Sequence, residues 1–206
     1  MLDRIQRALN FDGWTNPQFK RDDGLGRIGL AGFLIGLVLG IHLSIIGCHL
    51  VIKGLVLSRL LQWSLYATSL SFFHFSEFFV TAMHKPGVVS YDSFVLNHSK
   101  EYTSALLACW TEFWFEAFLL PWLKPHPVVV CLGLAITLVG HCFRVAAMWT
   151  AGKNFDHQIM EKKEVSHKLV TWGVYRYLRH PSYFGWFWWS IGTQVCWGGI
   201  GTQVCW

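Results

Sequence analysis

The sequence predicts an all-α fold: a polytopic integral membrane helical bundle of about five spans, with one long cytosolic loop set apart. Three observations carry this. Of 206 residues, 53% are hydrophobic and only 14% are charged, against about 25% charged in an ordinary soluble domain. Aromatic side chains reach 17%, an excess that suits a protein with rings in lipid and at its polar boundary. The apolar residues also fall in runs of bilayer length rather than in short or alternating stretches. The same composition excludes a disordered chain. The net charge of +5 comes without any basic stripe, so the lipid bilayer is an expected partner and nucleic acid is not.

The first span, 28–52, runs 25 residues without a Lys, Arg, Asp or Glu, roughly the 30 Å of the hydrocarbon layer. Its Gly29, Gly32, Gly36 and Gly40 weaken a helix in water but permit close helix packing in lipid. Further spans are expected near 60–83, 102–122 and 127–149, with Pro121, Pro125 and Pro127 marking the third turn-around. After His180-Pro181 no charged residue occurs up to Trp206, which gives a fifth span near 182–206. The expected organisation is therefore an N-terminal segment, 1–27, and one membrane domain, 28–206. The first 27 residues lack the short apolar core and cleavage site of a signal peptide. The six cysteines form no C-x-x-C pair and read as small buried hydrophobes.

Orientation follows from the basic residues near the span ends. Thirteen of the 17 Lys and Arg lie in the N-terminal segment, the loop 85–101 and the loop 150–179. Only Lys53, Arg59 and Lys124 fall on the opposite side. The N terminus and both loops are thus expected in the cytosol, and the sequon Asn97-His98-Ser99 reads as chance. Ionisable groups inside spans are costly and point inward by default. Glu77 shares a helix face with His74, Glu112 shares one with Glu116, and Arg144 lies near the inner end of the fourth span. These groups are expected to pair, Arg144 or a histidine against a glutamate. No ligand motif supports a metal site from His74, Glu77, His141 and His157, and none is expected.

A connector within a helix bundle needs about two to eight residues, whereas the 150–180 loop spends about 30. It is expected to fold over the membrane surface and line a pocket. The simpler alternative is a solvated loop whose charges obey the positive-inside rule.

The loop also carries a recognisable pattern: His167-Lys168-Leu169-Val170-Thr171-x-Gly173-x-Tyr175-x-x-x-Arg179-His180-Pro181-Ser182-Tyr183-x-Gly185. This resembles the signature of the isoprenylcysteine carboxyl methyltransferases, integral enzymes of the endoplasmic reticulum membrane. The similarity extends through FRVAAMWTAGKNFDH, SLSFFHFSEFFVTAM and LNHSKEYT, and so over most of 28–195. The R-H-P-x-Y-x-G element alone occurs in broader membrane methyltransferases and reductases; its combination with LNHSKEYT is specific.

The resemblance implies S-adenosyl-L-methionine-dependent methylation of the C-terminal carboxylate of farnesylated or geranylgeranylated cysteine, with the active site facing the cytosol. The family's cofactor positions match His167, Lys168, Leu169, Val170, Tyr175, His180, Pro181, Ser182 and Tyr183. Met160 stands where the family commonly has Gln. Arg144 is expected to face the catalytic cavity and to stabilise a carboxylate, either the substrate's or one supplied by Glu112 or Glu116. A guanidinium fork suits that task better than a lysine, whereas mere snorkelling would suit either. Family members continue into further helices and a charged tail, and animal members tend to have two earlier spans, so the chain is expected to be truncated. The doubled GTQVCW at its end reads as an artefact. A catalytically dead membrane scaffold with the same fold is the alternative.

The orientation is checked with single cysteines introduced at Asn16 and Glu164. Each should react with an impermeant maleimide once the plasma membrane is opened and the microsomes stay sealed. Labelling of either from the lumenal side overturns the assignment.

Overall fold

The computed structural model describes residues 23–96, 99–120, 122, 126–157 and 168–197. Among these lie five α-helices and no strand: α1 (Leu25–Lys53), α2 (Arg59–His84), α3 (Lys100–Leu119), α4 (Pro127–Ala151) and α5 (Pro181–Trp197). Short 3-10 turns, Pro86–Val88 and Tyr91–Phe94, join α2 to α3, and two more, Gly152–Asn154 and Gly173–Arg176, lie between α4 and α5. By length and composition α1 and the stretch Pro127–Asn154 suffice to cross a membrane. Most of the N-terminal segment, the start of the sequon, Met160 and the second GTQVCW fall outside the described residues.

Local chemistry explains the helix ends. The Ser58 and Ser99 hydroxyls accept from the amides of Leu61 and Tyr102, each at 3.1 Å, and so cap α2 and α3. Pro127 occupies the first turn of α4, where a missing N–H costs least. Helix α3 stops at Leu119 and does not run to 122 as the apolar run suggests. Leu120 precedes Pro121, whose ring disfavours the helical conformation there, and its ψ is 55°.

The closest helix contact joins α4 and α5. A Cβ built on Gly140 would lie 2.3 Å from the Trp189 amide nitrogen and 2.7 Å from the Gly185 carbonyl. One built on Gly185 would lie 2.4 Å from the Arg144 nitrogen. Seven residues along each helix the pattern repeats, with Gly133 against Cys196 and Gly192 against Thr137. The two backbones therefore touch, antiparallel, along two glycine pairs. The glycines of α1 do not behave this way, contrary to the sequence expectation. Gly29, Gly36 and Gly40 meet nothing within 4 Å, and Gly32 meets only the Phe94 ring at 3.8 Å.

Among the described residues the interior mixes apolar side chains such as Phe73, Phe94 and Met148 with many polar ones, while large apolar side chains crowd the outside. Gln62, Ser64, Glu77, Thr137 and Arg144 are buried, while Phe33, Leu37, Leu132 and Leu138 are exposed. This arrangement is costly in water and natural in lipid. Cys109 and Cys196 are buried as expected, but Cys48, Cys131 and Cys142 lie on the protein's outer surface. An apolar exterior accepts a thiol as readily as a core does.

Gly140→Ala should therefore destabilise the bundle by about 1–3 kcal/mol, because the added methyl meets backbone rather than a movable side chain. Gly36→Ala should be tolerated. Thermal aggregation of the purified protein in detergent checks both, and equal midpoints for the two variants would contradict the packing.

Candidate functional site

Glu77 on α2 is completely buried. An isolated carboxylate there would be prohibitively costly. Arg144 on α4 answers it with a bidentate grip: Nε donates to Oε1 at 2.7 Å and Nη2 donates to Oε2 at 2.8 Å. Nη1 donates to the Ser182 hydroxyl in the first turn of α5. From the loop side, His157 Nε2 lies 2.8 Å from the same Oε2. One guanidinium thus ties α2, α4 and α5 together, and its carboxylate partner adds the segment that follows α4.

Arg144, Ser182 and His157 line a cavity of about 210 Å³, while Glu77 is not among its lining residues. Arg144, Phe73, Val95 and Tyr102 line its inner wall; Asn154, Phe155, Asp156 and His157 line a second side. The remaining wall is Tyr175, Arg179, His180, Pro181, Ser182, Tyr183 and Trp186. Gly152, with φ 53°, ends α4, and the residues after it, 154–157, line the cavity. Lys85 Nζ donates to Asp156 Oδ2 at 3.3 Å and pins that segment to the end of α2. Partial burial pushes the Tyr175 phenol above its ordinary pKa, with the Arg144 charge pulling the other way, so it remains a hydroxyl donor at neutral pH.

Six of the residues singled out in the sequence meet here: Arg144, Tyr175, His180, Pro181, Ser182 and Tyr183. Lys168, Leu169 and Val170 do not line the cavity. The Lys168 amide donates to Asn154 Oδ1 at 3.1 Å, which brings the segment beside it, while the Leu169 side chain is 89% exposed. His167 lies outside the described residues. The carboxylate on Arg144 is that of Glu77, and neither Glu112 nor Glu116 takes that place. Tyr102, at the start of α3, already lines the cavity, so residues 112 and 116 lie about three turns or more further along. There Phe113 packs on Trp63 and lies under Arg59, near the opposite end of α2. In the sequence Glu77 and His74 share one helix face, and Asn154, Asp156 and Tyr102 fall within the FRVAAMWTAGKNFDH and LNHSKEYT stretches of the resemblance, but nothing there singles these three out as cavity residues. The cavity offers aromatic faces beside Asp156, Asn154 and hydroxyls, a donor set that fits a nucleoside carrying a sulfonium.

A second recess, about 480 Å³ and mostly apolar, runs between α1, α2 and α3. Leu30, Leu34 and Val38 form one wall, Leu70 and His74 another, and Leu106 and Trp110 the third, with Arg27 contributing to the lining. A small void of about 20 Å³ lies between the two, sharing Tyr102 with the cavity and Leu70 and Leu106 with the groove.

Comparison with known proteins gives a consistent picture. Residues 132–203 match the isoprenylcysteine carboxyl methyltransferase family. The protein-S-isoprenylcysteine O-methyltransferase of Saccharomyces cerevisiae is 36% identical over 185 residues, covering 87% of this chain and 73% of the relative. The Xenopus laevis protein of the same name is 55% identical over 130 residues, 63% of this chain. The chain spans about half the length of such animal relatives, 45% in the Xenopus case. A solved eukaryotic intramembrane Ras methyltransferase, an isoprenylcysteine carboxyl methyltransferase, superimposes with a TM-score of 0.77 at 35% identity, over 96% of this chain and 70% of that one.

Glu77→Gln leaves Arg144 buried against a neutral partner and should cost about 3–5 kcal/mol of stability. The double variant Glu77→Gln, Arg144→Met should recover much of that loss. Detergent melting of the three proteins measures it, and a Glu77→Gln protein as stable as the parent would refute the structural weight given to this pair.

Proposed function

Because the chain belongs to the isoprenylcysteine carboxyl methyltransferase family, we propose that it methylates the C-terminal carboxylate of farnesyl- or geranylgeranyl-cysteine proteins. The methyl donor is S-adenosyl-L-methionine, and the reaction takes place at the cytosolic face of the endoplasmic reticulum membrane. The observation that carries this reading is the pairing of two recesses. A polar, aromatic-walled cavity built from the R-H-P-x-Y segment adjoins an apolar groove among α1, α2 and α3. One suits a charged nucleoside and the other a prenyl chain.

The residues divide the work. His180, Ser182, Tyr183 and Tyr175 would hold the cofactor, whose sulfonium supplies an electrophilic methyl group and finds aromatic faces around it. Pro181 fixes its own φ and biases His180 towards an extended backbone, which sets the cavity's rim. The substrate carboxylate is already ionised at pH 7, so no general base is required. What it needs is alignment and loss of its water shell. Arg144 lines the cavity and is proposed to orient that carboxylate. A lone cation would hold the anionic ground state more tightly than the charge-dispersed transition state. The bidentate contact with Glu77 tempers that attraction.

Membranes holding the protein should transfer labelled methyl from S-adenosyl-L-methionine to a farnesylated cysteine substrate. Cofactor binding without transfer would instead support a scaffold that retains the fold. Arg144→Lys should cut transfer at least about tenfold, roughly 1.4 kcal/mol, at unchanged abundance in the membrane; near-normal turnover would remove Arg144 from the reaction. His180→Ala and Tyr183→Ala should weaken cofactor binding, and an unchanged dissociation constant in both would overturn their assignment.

A further inference from the structure

Where the cavity and the groove approach each other, two buried polar side chains are committed to one another. His74 on α2 is 3% exposed and Tyr102 on α3 is 5% exposed. His74 Nδ1 lies 2.9 Å from the Phe94 carbonyl oxygen. A carbonyl only accepts, so Nδ1 carries the proton. In the neutral imidazole, the ordinary form at pH 7, Nε2 is then an acceptor. The Tyr102 hydroxyl, 3.2 Å away, donates to it.

The backbone holds this direction in place. Phe94 is stacked on Phe78, ring centroids 4.1 Å apart. Val95, the next residue, adopts φ 58° and ψ 23°, a left-handed conformation rarely taken by a β-branched side chain. Such strain persists only where the surroundings over-determine it, and Val95 itself lines the cavity. His74 borders the groove and Tyr102 borders the cavity.

We propose that Tyr102 is a positioning residue that accepts a hydrogen bond from the amide N–H of the substrate's prenylcysteine, the Phe94–His74 chain having committed its own proton elsewhere. The inference rests on the methyltransferase reading above. A prenylcysteine with its tail in the groove and its carboxylate in the cavity has its α-carbon at the junction. That carbon bears one donor, the amide, and one acceptor, the carboxylate. An oxygen able only to accept attracts the first and repels the second. The carboxylate is thereby turned away from Tyr102 and towards the Arg144 side of the cavity.

The test compares N-acetyl-S-farnesylcysteine with its α-acetoxy analogue, in which oxygen replaces the amide N–H. For the unaltered protein the analogue should show a KM at least about tenfold higher, with kcat little changed. Tyr102→Phe should raise the KM of the amide substrate to near that of the analogue, move the analogue, which keeps only the carboxylate contact, far less, and leave the cofactor dissociation constant unaffected. A merely structural role would move both substrates together. Equal KM values in the unaltered protein overturn the proposal without any variant, as does a Tyr102→Phe protein that still discriminates. No methyl transfer to either substrate by the unaltered protein overturns the methyltransferase reading, and this inference with it.

Discussion

A carboxylate with no exposure at all, inside an apolar bundle, requires a partner of opposite charge in good geometry; Glu77 has one in Arg144, and much of the remaining architecture is registered to that contact. Removing two such ions from water costs several kcal/mol each. Only a planar fork returns enough in directed hydrogen bonds to make the site stable. With Nε and Nη2 gripping the two carboxylate oxygens, α2 and α4 are registered to each other at that point. The remaining nitrogen reaches Ser182, so the start of α5 is registered to the same point. His157 completes the set from the loop side. The positions of Pro181 and Tyr183 follow, since they are Ser182's immediate neighbours.

That reach depends on a second constraint. Arg144 and Ser182 can meet because α4 and α5 approach until their backbones touch. Gly140 and Gly185 face each other with no room for a methyl group, and a Cβ on Gly185 would fall on the Arg144 amide itself. The next pair, Gly133 with Gly192, lies two helical turns away on the same faces. In lipid no hydrophobic effect drives helices together, so close van der Waals packing of small residues must serve instead. The glycines bring the helices close and the arginine sets their register.

Much of this was legible in the sequence, and the boundary is physical. Helix positions followed from apolar runs and proline punctuation because a bilayer imposes a length on each crossing. The cavity's outer wall was legible because Tyr175, His180, Pro181, Ser182 and Tyr183 lie within nine residues of one another in the chain, so local pattern suffices. The partner of Arg144 was not. Glu77 and Glu116 are both buried glutamates, and hydropathy cannot say which helix end faces which. The glycines of α1 were misjudged for a similar reason: spacing permits close packing but does not supply a neighbour. Lys168, Leu169 and Val170 match the family pattern, yet their side chains do not reach the cavity; the Lys168 contribution is a backbone amide on Asn154, which no side-chain pattern encodes.

The proposed chemistry also accounts for placing such a site inside a membrane. Methyl transfer from a sulfonium to a carboxylate joins a cation and an anion into neutral products, so charge is lost as the transition state forms. Water stabilises the separated ions and thereby opposes the reaction; a site with few water molecules does not. An aromatic wall of Phe73, Phe155, Tyr183 and Trp186 excludes water while leaving π faces for the cation. The prenyl chain is soluble in the same medium that surrounds the protein, so it can pass from lipid into a groove walled by Leu34, Val38 and Leu106 without crossing water. Strong fixed charge at the reacting centre would undo this advantage by trapping the carboxylate, and a buried arginine alone would do so. Its pairing with Glu77 leaves directional donors in place while cancelling most of the field. The interaction that holds the helices together is then also the one that keeps the site close to neutral.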